Sequence, residues 1–408
     1  MSGDQGAARS FWRNLVFAGT SGASAGLLLI LFVLAGRVLG EVEFGKFSFA
    51  LALGTIFETI MDFGLHQVTI REVARDRSRA ATVLHHTLGI KLLWTTVGLA
   101  ALLVTATVLR SEWDVRFACY LVGGALVARS FTFTIRGILQ GLERFGWDSL
   151  VVLGDRGLLL VLGAAALLAG YGLLGLATAF VVARAAALVL GAWLTQAQLG
   201  GVRVRYDREA WRELQRSAVP FGLFLIVLNT YSYVDSVMLG VMKGDVETGI
   251  YNAAYKVYEG VGYLPGVIAS VLTPRLSSLY VTDRKAHRQL VLGSLGGSVA
   301  LALIVTAAGY VLAEPVITLL FGVNYAPAAR PFRVLSLGLV FVFAIWTLHA
   351  TAISANRERL LIRAALIGLV VNVAVNAYAI PRLGADGAAA ATVIGEFVSL
   401  IVLVAGLR

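Results

Sequence analysis

Apolar stretches of about 20 residues follow one another along nearly the whole chain, divided by short runs of charged and turn-forming residues. A helix of that length crosses about 30 Å of hydrocarbon. Twelve such spans are read, at about 14–36, 46–68, 88–109, 117–140, 149–169, 173–197, 215–241, 248–273, 289–312, 332–354, 360–380 and 386–407. The first is too long for a signal-peptide core and lacks a small-residue cleavage site, so it is read as a helix. The pattern also repeats. Glu41-Val-Glu-Phe-Gly45 recurs 204 residues later as Asp245-Val-Glu-Thr-Gly249 in a chain of 408, and Gly172-Leu-Leu-Gly175 recurs at an offset of 212 as Gly384-Ala-Asp-Gly387. The predicted class is an all-α membrane protein of about twelve transmembrane helices, in two six-helix lobes related by a parallel internal repeat. The expected divisions are a lobe at 1–198, a charged cytoplasmic linker at 199–212 and a second lobe at 213–408.

Composition and charge narrow the class. Apolar residues make up 58% of the chain and charged residues 14%, against about 25% charged in ordinary soluble domains. Mean hydropathy is +0.81. Cys119 is the sole cysteine, so no intramolecular disulfide forms. The chain contains no phosphate-binding Gly-x-x-x-x-Gly-Lys-Ser loop, no His-Glu-x-x-His pair and no Gly-x-Ser-x-Gly elbow. His85 and His86 are adjacent and point to different helix faces, so no metal site is expected. The short outward loops argue against an enzyme such as a membrane-embedded glycan polymerase. The segment around Glu314–Pro331 is the longest of them, is itself largely apolar, and is expected to pack as a short helix.

The net charge of +10 is not read as nucleic-acid binding, because its distribution follows the membrane. With the N-terminus placed inside, about 20 Lys and Arg fall on the cytoplasmic side and about 8 on the other. Both termini are therefore expected in the cytoplasm. Clusters such as Arg71, Arg75, Arg77, Arg79 and Arg203, Arg205, Arg208, Arg212 also suit anionic lipid headgroups. Trp12, Trp113, Trp147, Trp193 and Trp211 fall near span ends, where interfacial anchors lie.

Several motifs carry a family resemblance. Arg37-Val-Leu-Gly-Glu-Val-Glu-Phe-Gly-Lys-Phe-Ser-Phe-Ala50 follows the first span, and Asp62-Phe-Gly-Leu65 precedes Arg71-Glu-Val-Ala74. Gln140-Gly-Leu-Glu-Arg-Phe145 follows span four, and Gly384-Ala-Asp-Gly-Ala-Ala-Ala-Ala-Thr392 opens the last helix. Together they resemble the polysaccharide flippases of the multidrug/oligosaccharidyl-lipid/polysaccharide exporter superfamily, in particular its oligosaccharide-repeat-unit branch. The resemblance implies alternating-access transport of a polyprenyl-pyrophosphate-linked oligosaccharide across a prokaryotic inner (plasma) membrane. Its implied partners are that lipid-linked glycan, membrane lipids and the polysaccharide biosynthesis machinery. An antiporter for drugs or organic cations and a peptidoglycan-precursor flippase, both of the same superfamily, are the alternatives.

Charges at hydrocarbon depth cost about 2.5–3.5 kcal/mol each on insertion scales, so those inside the spans are the site candidates. The resemblance calls for cations to meet pyrophosphate and for hydroxyl or amide groups to meet sugar. Arg129 and Arg136 are seven apart and share one face of span four with Thr132 and Gln140. With Lys91 and Arg184 they are the basic substrate-binding candidates, snorkelling being the alternative. Arg156, beside Asp155, is read as a local or snorkelling charge. Tyr255 and Lys256 lie in the aromatic, polar stretch of span eight and complete the substrate candidates. Glu58, Asp62, Asp235, Glu259 and Glu396 are candidates for coupling to Na+ or H+, with structural ion pairing as the competing role. Glu58, Asp62 and His66 form a ridge expected to face the arginines of span four. No cofactor is expected beyond a coupling ion.

Overall fold

The structure, a computed structural model, describes residues 2–199 and 207–407 and is helical nearly throughout. Half of the charged linker expected at 199–212, with Arg203 and Arg205, lies outside the described residues, and its end from Arg208 is the start of a helix. Thirteen α-helices are defined among the described residues: α1 (Ser2–Asp62), α2 (Leu65–Arg75), α3 (Ala80–Leu109), α4 (Trp113–Gly141), α5 (Phe145–Leu168), α6 (Gly172–Leu199), α7 (Arg208–Met242), α8 (Asp245–Thr282), α9 (Arg284–Val311), α10 (Ala313–Phe321), α11 (Ala329–Ser354), α12 (Glu358–Leu383) and α13 (Ala385–Leu407). The short α10 and the 3-10 turn Val323–Ala328 occupy the apolar segment expected to pack as a short helix.

Eleven helical stretches among the described residues are long and apolar enough to span a membrane. The first, Gly22–Arg75, has 54 residues and takes in most of the first expected span and all of the second. Gly40 separates them, with φ 72° and ψ 175°, a backbone region open in practice to glycine alone. Gly244, at the same place in the repeat, has φ 87° and ψ −170°. Gly172 and Gly384, at the openings of α6 and α13, also match, with φ 59° and 56°. The repeat read from short motifs is thus a repeat of backbone conformation at helix junctions.

The second expected span, 46–68, is not one helix. It breaks at Phe63 (φ 44°) and Gly64 (φ 75°), within the Asp-Phe-Gly-Leu motif. The break lets backbone approach backbone: a Cβ on Gly64 would lie 2.6 Å from the Gly222 amide nitrogen, and one on Gly222 would lie 2.8 Å from the Phe63 carbonyl oxygen. The expected ridge of Glu58, Asp62 and His66 is therefore split, with His66 carried on α2.

Contacts group the chain into two compact units. One comprises residues 1–38 and 50–229, the other residues 39–49 and 230–408. In the first unit α4 packs against α2, α3 and α6, and α5 packs on α6. In the second, α11 is central, touching α8, α9 and α13, and α12 packs on α13. Segment 39–49 joins the second unit through its aromatics. Phe44, Phe47 and Phe49 are fully buried there, Phe44 against Phe321 and Tyr325 with centroids 6.0 and 6.2 Å apart. The two copies of the Glu/Asp-Val-Glu-x-Gly motif meet inside this unit. A Cβ on Gly45 would collide with the Asp245 carbonyl oxygen, and one on Gly249 with that of Glu41. Such close backbone contact through small residues is how membrane helices gain packing without a hydrophobic driving force between them. Valines such as Val104, Val108, Val189 and Val271 remain exposed.

Gly45→Ala and Gly249→Ala each place a methyl group against backbone that has no room to give. Each is expected to cost about 1–3 kcal/mol, read as a lowered melting temperature of the detergent-purified protein. Gly124→Ala, where a Cβ would meet open space, is expected to leave it unchanged. Equal melting temperatures for all three variants would contradict this account of the junction.

Candidate functional site

Buried charges in the first unit are organised as ion pairs across helices. Lys91 on α3 is fully buried and donates to Asp62 at 2.5 Å. Arg129 on α4 grips Glu58 on α1 side-on: its Nε donates to Oε1 at 2.6 Å and its Nη2 to Oε2. The expectation that Glu58 faces the arginines of span four is met here. Two turns further along α4, Arg136 holds Asp148 of α5 with its own fork, at 2.7 and 3.3 Å, and Gln140 donates to the same carboxylate at 2.9 Å. Arg184 on α6 pairs with Asp155 of α5. Bidentate pairing of this kind suits a planar guanidinium and offsets much of the cost of taking both charges out of water.

The local reasons are legible one step at a time. Arg129, Phe133 and Arg136 follow one another along one face of α4. The Phe133 ring lies 5.5 Å from the Arg129 guanidinium carbon and 5.9 Å from that of Arg136. His66 Nδ1 meets the Phe133 carbonyl oxygen at 2.7 Å and ties α2 to this face. Gln140-Gly-Leu-Glu-Arg-Phe145 forms the turn into α5. Its Gln140 steadies Asp148, its Gly141 fits under Val73, and its Glu143 binds Arg77 at 2.9 Å. The motif that carried a family resemblance therefore fixes the acid that orients Arg136.

A small cavity of about 30 Å3 lies between these helices, lined by Arg129, Phe133, Arg136, Asp155, Arg156 and Arg184 among others. Four arginines thus share one polar chamber. Three of them were singled out from the sequence. Arg156, expected to be a local charge, joins them, whereas Lys91 is turned to Asp62 and does not line the chamber. Asp148 was not singled out at all. It sits across a turn from Arg136, twelve residues on, and no helical spacing announces the pair.

The second unit holds buried acids met by neutral donors. Asp235 on α7 is 1% exposed and accepts from the Tyr251 hydroxyl at 2.8 Å, from Thr392 Oγ1 at 2.6 Å and from Asn376 Nδ2. Asn376 also donates to Asn372 Oδ1 at 3.0 Å, and Thr392 Oγ1 reaches the Ala388 carbonyl oxygen at 3.1 Å. Asn372 Nδ2 and Asn376 Oδ1 are buried without a hydrogen-bond partner among the described residues. Four helices, α7, α8, α12 and α13, so gather carboxylate, amide, hydroxyl and carbonyl oxygens at one point. Glu396 on α13 accepts from the Tyr258 hydroxyl. Lys256 and Glu259 pair with each other along α8 at 2.7 Å, and the Tyr255 ring stacks against Tyr251 with centroids 5.5 Å apart. No group of three or more His, Cys, Asp or Glu side chains suited to a metal occurs among the described residues.

A chain of membrane-spanning helices in two repeated halves, with ionisable groups buried and partnered inside each unit, has the fold of the multidrug/oligosaccharidyl-lipid/polysaccharide (MOP) transporters. It is similar to the lipid II flippase MurJ in an inward closed conformation, with a TM-score of 0.82 and 14% identity over 96% of this chain and 87% of that one. It is similar to an inward-facing multidrug resistance MATE family transporter of the MOP superfamily, with a TM-score of 0.78 and 18% identity over 95% and 94%. The chain belongs to the polysaccharide biosynthesis protein family, whose sequence profile matches residues 11–280. Among curated proteins it resembles the probable flippase AglR of Haloferax volcanii, 30% identical over 184 residues, 44% of this chain. The match spans only 38% of AglR's length.

The pairing of Lys91 with Asp62 carries a stability prediction. Lys91→Met or Asp62→Asn alone strands one buried charge and is expected to cost about 3–5 kcal/mol. The double variant is expected to lose much less than the sum of the two. Unfolding the four proteins in sodium dodecyl sulfate gives the cycle, and simple additivity would show that the pair is not coupled.

Proposed function

We propose that this protein is a flippase that carries polyprenyl-pyrophosphate-linked oligosaccharide repeat units across the plasma membrane by alternating access. The observation that carries the reading is the chamber in the first unit, where Arg129, Arg136, Arg156 and Arg184 meet. Polyprenyl is at home in lipid, but pyrophosphate is not, and moving it needs cations held at hydrocarbon depth. Arginine binds phosphate oxygens through a planar fork and stays ionised. A carrier of organic cations needs the opposite sign in its chamber. The family to which the chain belongs agrees with a glycan-linked substrate, and the likeness to the probable flippase AglR agrees with a flippase. Both termini are placed in the cytoplasm, with the arginine-rich loops on that side. There the polysaccharide biosynthesis machinery delivers the loaded lipid.

The return step is assigned to a cation. Asp235, buried among the oxygens of Asn372, Asn376 and Thr392, supports coupling to Na+ or H+ in the second unit. Tyr255 and the neighbouring tyrosines of α8 are suited to stack on sugar faces.

Proteoliposomes loaded with a fluorescent short-glycan polyprenyl pyrophosphate test both statements. Wild type is expected to expose the glycan on the far leaflet, and Arg129→Ala/Arg136→Ala to do so at least ten times more slowly. Equal rates would remove these arginines from the site, and failure with a whole panel of glycans, peptidoglycan precursors included, would remove the flippase reading. Asp235→Asn is expected to transport without responding to an imposed Na+ or proton gradient. A response equal to wild type would place the coupling elsewhere.

A further inference from the structure

Two basic runs in the second unit find no acid to hold them. At the α8–α9 junction Arg284, Lys285 and Arg288 stand against Asp283 alone. That carboxylate is spent on capping α9, where it accepts from the backbone amides of Lys285 and Ala286, each at 2.9 Å. At the α11–α12 junction Arg357, Arg359 and Arg363 stand against Glu358 alone. None of these bases forms an ion pair among the described residues. In the first unit, by contrast, Arg71 and Arg75 share Glu72, and Arg77 binds Glu143. The two runs are distant in sequence, but the fold brings them to one end of the second unit. His287 Nε2 meets Ser354 Oγ at 3.1 Å and joins the start of α9 to the end of α11. The Arg284 guanidinium carbon lies 3.4 Å from the centre of the Tyr280 ring, and the charge of Arg357 bears on the same tyrosine. Arg357 itself donates to the Gly406 carbonyl oxygen at 2.7 Å, near the end of α13.

Toward the middle of each helix the bases give way to exposed aliphatic side chains. Arg284, Arg288 and Leu292 follow at intervals of four on α9 and are all exposed. Arg359, Arg363, Ile367 and Val370 share one exposed face of α12 in the same order. Each face therefore passes from guanidinium groups to hydrocarbon within a single turn. A phospholipid has that profile, phosphate at one end and acyl chain at the other. An acidic protein segment would use the bases but not the aliphatic side chains next to them, and membrane topology asks only for bases in the loop. We propose that this end of the second unit is a binding surface for anionic phospholipids, with lipid phosphate on the arginines of α9 and α12 and acyl chains along Leu292, Ile367 and Val370. A guanidinium that no carboxylate occupies can give its planar fork to phosphate oxygens, and the attraction grows with each base at headgroup level. The surface is independent of the flippase reading, since it uses none of the residues on which that reading stands. Only the choice of the cytoplasmic leaflet rests on the topology proposed above.

Native mass spectrometry of the full chain in neutral detergent, titrated with phosphatidylglycerol or with phosphatidylcholine of the same acyl chains, tests the assignment. Wild type is expected to hold phosphatidylglycerol about tenfold more tightly than phosphatidylcholine. Arg284→Gln/Arg288→Gln and Arg359→Gln/Arg363→Gln are each expected to lose most of that preference. Their melting temperatures in lipid-free detergent should stay near that of wild type, since no carboxylate loses a partner. Arg75→Gln/Arg77→Gln, drawn from the paired bases of the first unit, is expected to keep the preference. Glycerophosphoglycerol, the same headgroup without its chains, is expected to bind far more weakly than the lipid. Should one arginine variant fail to fold, the other and the wild-type preference still decide. Equal retention of both lipids by wild type, or an undiminished preference in the arginine variants, would overturn the proposal. Glycerophosphoglycerol that binds as well as the lipid would take the acyl chains out of the site and overturn it too. Polyglutamate bound through the same arginines, with no preference between the lipids, would give the surface to an acidic protein partner instead. Glycan transport enters none of these readings, so failure of the flippase reading and failure of this surface are told apart.

Discussion

A charge inside hydrocarbon must be answered by the protein, because no water is there to do so. The first unit is arranged around that constraint. Its α4 presents Arg129 and Arg136 in line; α1 and α5 are brought to it by Glu58 and Asp148, and α6 is tied to α5 by Arg184 and Asp155. Each pair joins two helices, so the electrostatic demand of one side chain becomes a packing instruction for the bundle. Arg129, Arg136, Asp155 and Arg184 of these pairs also line the small chamber between the helices.

The second unit answers the constraint with a different chemistry. Asp235 is surrounded by hydroxyl and amide donors from three other helices, and Glu396 by a tyrosine hydroxyl. Neutral donors satisfy a buried carboxylate without pairing it with an opposite charge. Two units with a common helix order thus hold interiors of opposite character: one rich in paired guanidinium groups, the other in carboxylates and their neutral donors. Fold alone does not fix function, and here the difference lies in a few side chains on a shared scaffold.

Much of the architecture was legible in the sequence. Spans were readable because an unbroken series of apolar runs of membrane length has no place in a water-soluble fold, and the repeat because glycines at helix junctions cannot be replaced freely. Glu58 could be matched to α4 because a polar ridge on a membrane helix has to face protein. Other features leave no such trace. Asp148 and Asp155 find their bases on other helices, and spacing along one helix says nothing of a partner on the next. The break at Phe63 and Gly64 is hidden in residues as apolar as the helix around them. Nor does hydropathy separate a phenylalanine facing lipid from one buried in protein, so the membership of Phe44, Phe47 and Phe49 in the second unit was not visible.

That membership bears on how the protein is made. Segment 39–49 emerges early in synthesis, but the surfaces that bury it, Phe321 and Tyr325 among them, come about 280 residues later, roughly 15–60 seconds at ordinary translation speeds. During that interval three phenylalanines destined for a protein interior have only lipid for company. The second half, for its part, cannot close its core until the earlier segment is delivered to it. The core of the second unit therefore combines a piece made early in synthesis with helices made late, and neither stretch of sequence holds that core by itself.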